Sequence, residues 1–215
     1  RRDLGDGTVL SDDYVSLKST ELLEQEPAVA LRLYRQVCRL DKPPYHFARD
    51  AIARVAVDPE WRSRLQQSAE AQKLFLQLLT HVREAPLRRS SVLGELHEVG
   101  LMVAMIPEFG WVTGRVQHDV YHVYTVDVHS VAAVDKLRAL MRGEHAAELP
   151  LACRTATEEP RRQPLFLGLL LHDIGKARGK DHSRKGAKKQ LAASLKRLKT
   201  DYIDLLYIKN LDGRE

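Results

Sequence analysis

The sequence predicts an all-α protein, a run of amphipathic helices leading into a helical bundle. Three observations carry that expectation. Apolar residues recur at intervals of three and four through most of residues 28–142, Pro and Gly fall mainly between these runs, and residues 165–171 are apolar on every side. No stretch in the first 105 residues reads as a compelling strand. At 215 residues the chain can hold one good-sized domain or two small ones. An apolar fraction of 44% with 29% charged residues excludes collagen-like, low-complexity and wholly disordered chains.

The elements follow in order. Ser19 or Thr20 stands before Glu21-Leu22-Leu23 as a helix cap, and Pro27 marks a boundary or a first turn. Val29, Leu31, Leu33, Tyr34, Val37 and Leu40 predict an amphipathic helix over 28–40, which Asp41-Lys42-Pro43-Pro44 ends. Further helices are expected over 46–57, 61–84 and 91–105, before Pro107, Gly110 and Gly114 interrupt the pattern. Val128, Val131, Val134, Leu137 and Leu140 predict another over 126–142. Residues 143–164, with three prolines among Glu and Thr, read as a surface loop holding at most a short helix at 145–149. The apolar stretch that follows predicts a buried helix with Pro164 near its start and Gly175 near its end.

The longest apolar stretch, Leu165 to Leu171, falls far short of the roughly 20 residues that span a bilayer, so no membrane partner is expected. Cys38 and Cys153 lie far apart with no metal-type spacing, which fits a reducing cytoplasm. The chain opens on Arg1 with no leader pattern and reads as a fragment. Its net charge of +5 is local: residues 176–199 hold ten Lys/Arg and one Asp, and the remainder is mildly acidic. That basic stretch contains no aromatic residue, so a solvated basic face is preferred to a nucleic-acid surface.

Chemistry is concentrated at His172-Asp173, which closes the apolar helix. Adjacent residues diverge by about 100° on a helix, yet a cation set beside the helix can take the imidazole from one side and the carboxylate from the other. His129, inside the 126–142 helix, is the candidate third ligand from a second helix. Mixed imidazole and carboxylate donors suit a divalent ion such as Mn, Fe or Mg, with Zn also possible. Such an ion polarises a phosphoryl oxygen and acidifies water. Lys176, one turn past His172, is placed to meet a phosphate oxygen. The competing expectation for a carboxylate at the end of an apolar helix is an Arg or Lys partner in place of a metal.

Leu169-Leu-Leu-His-Asp-Ile-Gly-Lys176, with His129 upstream, resembles the HD superfamily of metal-dependent phosphohydrolases, an all-helical fold. Ile106-Pro-Glu-Phe-Gly, the stretch from Val116 to His129 and Gly179-Lys-Asp-His-Ser resemble more narrowly the bifunctional uridylyltransferase/uridylyl-removing enzymes that modify the PII nitrogen-signalling protein. This resemblance covers roughly residues 8–187. It implies hydrolysis of the phosphodiester between UMP and a tyrosine of PII, supported by Mn or Mg. It also implies that His129, His172 and Asp173 bind metal and that Asp173, Lys176 and His182 serve catalysis, Lys176 and His182 facing phosphate or a second ion. His118 and His122 lie in the family's signature stretch, where structural service is the simpler role. The implied organisation is a helical linker over 1–115 and the front of a truncated HD-domain-like bundle over 116–186. The family's nucleotidyltransferase and glutamine-sensing domains, and the distant Asp that completes the HD motif, fall outside this sequence. The alternative is therefore a catalytically silent fragment or PII-docking module with an incomplete metal shell.

Residues 187–215 change character. Leu191, Leu195 and Leu198 form a helical stripe, and Tyr202 to Ile208 is rich in β-formers, which predicts a helix-strand appendage. The segment resembles one unit of the aldo-keto reductase barrel, with Lys209 where that family carries its catalytic His. One unit of eight neither closes a barrel nor holds a nicotinamide cofactor.

Overall fold

A computed structural model describes residues 1–87, 91–114 and 125–174. Among these the chain is mostly helical and separates into two compact units, Arg1–Pro107 and a second beginning at Glu108. No helix among the described residues is long and apolar enough to cross a membrane.

The first unit opens with strands that the all-α expectation missed. β1 (Arg2–Gly5), β2 (Thr8–Ser11) and β3 (Tyr14–Leu17) form an antiparallel meander in that order. Asp6-Gly7 and Asp12-Asp13 make the two turns, with Asp6, Gly7, Asp12 and Asp13 all at positive φ. The apolar alternation is only four residues long in each strand, too short to stand out against helical periodicity. Val9, Val15 and Leu17 turn inward, and β3 continues its pairing to the Pro43–Tyr45 stretch through Val15 N–H to Pro43 O (2.9 Å) and Tyr45 N–H to Val15 O (2.8 Å). Gly7 is obligatory in two ways: its φ is +83°, and a Cβ there would lie 2.8 Å from Val29 Cγ2.

Seven helices complete the described part of this unit: α1 (Leu22–Gln25), α2 (Val29–Leu40), α3 (His46–Val55), α4 (Pro59–Gln67), α5 (Ala69–Leu79), α6 (Val92–Glu98) and α7 (Leu101–Met105). The capping expected of Ser19 or Thr20 is displaced: the Ser19 hydroxyl accepts the Glu21 N–H at 3.2 Å, one step ahead of α1, and Glu21 itself makes no side-chain cap. The single helix expected over 61–84 is two, because the Ser68 hydroxyl accepts the Ala71 N–H at 3.2 Å and starts α5 afresh. The helix expected over 91–105 also divides, at Gly100 in the left-handed region (φ +79°). Helix α2 is the hub. Leu31, Leu33, Tyr34 and Val37 are fully buried, and α2 packs against β2, β3 and α5.

Polar side chains lock these helices together. Arg32 of α2 forks onto Glu70 of α5 at 2.7 and 2.6 Å and reaches Glu26 at 2.7 Å. Its guanidinium holds the Glu70 carboxyl below the ordinary carboxylate value. A depressed carboxyl contributes stability that is present above its unfolded value and is lost as pH falls through its folded one. Glu70→Gln should therefore flatten the acid limb of stability below the ordinary Glu range, as read by urea unfolding across roughly pH 2 to 6. Deeper in the unit, the Tyr34 hydroxyl donates to Glu95 Oε1 (3.3 Å), and Arg49 pairs with both Glu95 and Glu98. Burial, with Glu95 beside it, pushes the Tyr34 phenol well above its ordinary value.

The second unit holds a 3-10 turn from its boundary at Pro107 to Trp111, then α8 (Val126–Met141), α9 (Pro150–Glu158) and α10 (Arg162–Leu171). The expected loop over 143–164 contains the nine-residue α9. Pro150 takes its first position, where a missing N–H costs nothing; residues 145–148 are turn rather than helix, and Leu149 is the N-cap of α9. α9 and α10 both pack on α8. Val134, Phe166, Leu167 and Leu170 are fully buried, as the apolar stretch requires. Helix α10 begins two residues before Pro164.

Candidate metal centre

His129 lies in the first turn of α8, its N–H bonded to Thr125 O at 2.9 Å. His172 is the C-cap of α10, still in helical conformation, and Asp173 follows with 3% of its surface exposed. The start of α8 thus meets the end of α10. One donor atom from each of His129, His172 and Asp173 lies within 4.8 Å of the others, and the two imidazole centroids are 5.5 Å apart.

Protons decide what this arrangement can do. His172 Nδ1 is 2.7 Å from the Leu169 carbonyl, one helical turn back, so Nδ1–H donates there and Nε2 is left to face Asp173. That Nε2 stands 3.3 Å from Asp173 Oδ1. A carboxylate oxygen and a ring nitrogen at this distance are held together by a proton or by a cation bound to both. The C-terminal end of α10 adds partial negative charge, which also favours a cation. A backbone carbonyl that fixes the ring through its other nitrogen is the usual support of a metal-binding histidine. The donor set of two imidazoles and one buried carboxylate fits a divalent transition ion or Mg.

Asp127, in the first turn of α8, has no role assigned from the sequence although it lies within the signature stretch. It is 3% exposed, and its Oδ2 accepts the N–H of Gly114, a residue at φ +69°. This bond ties the end of the 108–114 segment to the turn that carries His129. Asp127→Ala leaves the Gly114 N–H without that acceptor and should cost about 1–3 kcal/mol. It should also weaken Mn binding about tenfold by loosening the His129 turn. Asp127→Asn keeps an accepting oxygen and should retain most of both, as checked by thermal unfolding and Mn titration. Lys176, His182, His118 and His122 lie outside the described residues, as does the 187–215 appendage.

Among curated proteins, the bifunctional uridylyltransferase/uridylyl-removing enzyme of Azospirillum brasilense is 35% identical over 190 residues, 87% of this chain and 19% of that protein. Those of Rhodospirillum rubrum and Cereibacter sphaeroides are 40% and 42% identical over 123 and 125 residues, in each case 57% of this chain and 13% of theirs. The chain is a relative of these bifunctional enzymes. It spans about a fifth or less of the length of the relatives it matches. No family model matches the sequence, and no solved structure matches it. Nearly ninety per cent of the chain aligns with the Azospirillum protein.

Proposed function

We propose that this chain carries the metal-binding part of an HD-type phosphohydrolase site whose intact relatives remove UMP from the PII protein. The observation that supports it most is the meeting of His172 Nε2 and Asp173 Oδ1 at 3.3 Å, with His129 alongside and Nδ1–H already engaged elsewhere. A divalent ion bound there, Mn or Mg, supplies Lewis-acid polarisation of a phosphoryl oxygen and acidifies water. The chain's own contribution is to hold the donors ready. The Leu169 carbonyl orients His172, Asp127 steadies the turn bearing His129, and buried Phe166, Leu167 and Leu170 anchor the end of α10. Lys176 and His182 are proposed to face the phosphate, on the family resemblance. The reading includes a cytoplasmic setting, consistent with two cysteines outside any disulfide, and uridylylated PII as substrate.

The test is UMP release from uridylylated PII with Mn, comparing the chain with Asp173→Asn. Release by the parent alone supports the reading. Equal release by both rejects the role of Asp173. No release by either favours the alternative of a catalytically silent fragment or PII-docking module with an incomplete metal shell.

A further inference from the structure

We propose that the ring cluster where β3 meets the start of α3 is a docking surface for an arginine-bearing segment of a partner protein. It belongs to the first unit and does not involve the metal centre. Tyr14 of β3 meets Tyr45 edge-on, with centroids 5.9 Å apart. Tyr45 in turn meets His46 at 4.6 Å and Phe47 at 5.5 Å, and His46 and Phe47 are 4.2 Å apart. The backbone fixes this group, since the Tyr45 N–H donates to Val15 O and Pro44 beside it is buried. The rings nonetheless meet water. Phe47 is 61% exposed and Tyr45 36%, two of the three large apolar side chains exposed among the described residues of this unit.

Charge selects the occupant. Asp12 and Asp13 make the turn immediately before Tyr14, and Asp50 stands three residues past Phe47 and four past His46, on their side of α3. The Lys42–Asp13 ion pair (2.9 Å) brings Asp41 to the same turn. Asp12, Asp41 and Asp50 make no ion pair or side-chain hydrogen bond among the described residues. The neighbouring guanidiniums are committed elsewhere, Arg39 to Gln36 and Arg49 to Glu95 and Glu98. Arg54, one turn beyond Asp50, makes no ion pair with it. Exposed rings bordered by unpaired carboxylates attract a cation and repel an acidic partner. A guanidinium, planar and weakly hydrated, stacks on such rings more readily than an ammonium. The steps of 5.9 and 5.5 Å between rings are close to the spacing of alternate side chains on an extended segment, about 6.6 Å, so arginines at alternate positions meet successive rings.

The experiment titrates the full chain with the blocked peptide acetyl-Gly-Arg-Gly-Arg-Gly-amide at low ionic strength, followed by amide NMR shifts. Saturable shifts confined to residues 12–14 and 41–50 are expected. The peptide with Lys in place of Arg should bind several-fold more weakly, and the one with Glu not at all. Phe47→Ser should weaken binding about two- to tenfold, and Asp50→Asn should weaken it several-fold in a manner that high salt removes. Both positions are exposed, so thermal unfolding of both variants should match the parent. No saturable shift at these residues, equal binding of the Arg and Lys peptides, or unaltered binding by Phe47→Ser would overturn the proposal. Self-association of the chain that Phe47→Ser abolishes, with no peptide binding, would assign the surface to a second copy and overturn it equally.

Discussion

Asp173→Asn is expected to weaken Mn binding by at least about 100-fold while changing the stability of the metal-free protein little. Loss of a partner one step removed from a metal ligand already costs about 10–100-fold in affinity, and Asp173 is proposed as a ligand itself. The metal-free protein behaves differently because the carboxylate is 3% exposed and stands 3.3 Å from His172 Nε2. Replacing it by an amide removes a desolvated charge while keeping the volume and one accepting oxygen, which offsets whatever the carboxylate itself contributed to stability. The two effects separate in thermal unfolding. Mn at about 100 times its dissociation constant should stabilise the parent by about 2.7 kcal/mol and the variant by almost nothing. An identical Mn-induced rise in melting temperature in both proteins would remove Asp173 from the centre.

Trp61→Ala should be the most destabilising of these substitutions, at about 4–5 kcal/mol, and should unfold the first unit near physiological temperature. Trp61 is the largest of the fully buried side chains among the described residues, with 1% of its surface exposed. It stands in the first turn of α4, where Asp58 accepts its backbone N–H at 2.7 Å, and its indole Nε1–H donates to the Leu23 carbonyl of α1 at 2.7 Å. Truncation therefore opens a cavity and also strips a buried carbonyl of its donor. Trp61→Phe separates the two effects: it fills most of the volume and leaves the carbonyl without the indole, for an expected loss of about 1–3 kcal/mol. Urea unfolding followed by far-UV circular dichroism measures both. A Phe variant as stable as the parent would show that the hydrogen bond contributes nothing net.

The helices were legible where one face is apolar over three or more turns. The pattern over 28–40 becomes α2 and that over 126–142 becomes α8, each displaced by no more than one residue at an end. Reading failed where a single polar or flexible residue overrides periodicity. Ser68 and Gly100 divide stretches whose apolar spacing runs straight through them, because a side-chain cap or a left-handed residue costs less locally than continuing the helix. The β-meander of residues 2–17 escaped because each strand offers only four residues. Its strongest signal, Asp6-Gly7, is a turn whose meaning depends on strands on both sides.

At the centre the division is similar. Residue type and order alone offer His129, His172 and Asp173 as candidate donors, because a carboxylate ending an all-apolar helix needs a cation, metal or Arg or Lys, wherever it is buried. Sequence could not say that His172 Nδ1–H would donate to the Leu169 carbonyl, that Nε2 would thereby face Asp173, or that Asp127 would accept the Gly114 N–H. Those outcomes depend on the packing of α8 against α10, start to end, which brings His129 and His172 side by side although they stand more than forty positions apart in the chain. Helical periodicity is local and can be read along the chain. Which lone pairs converge is settled only when the apolar faces have packed and the remaining polar atoms must find partners where they stand.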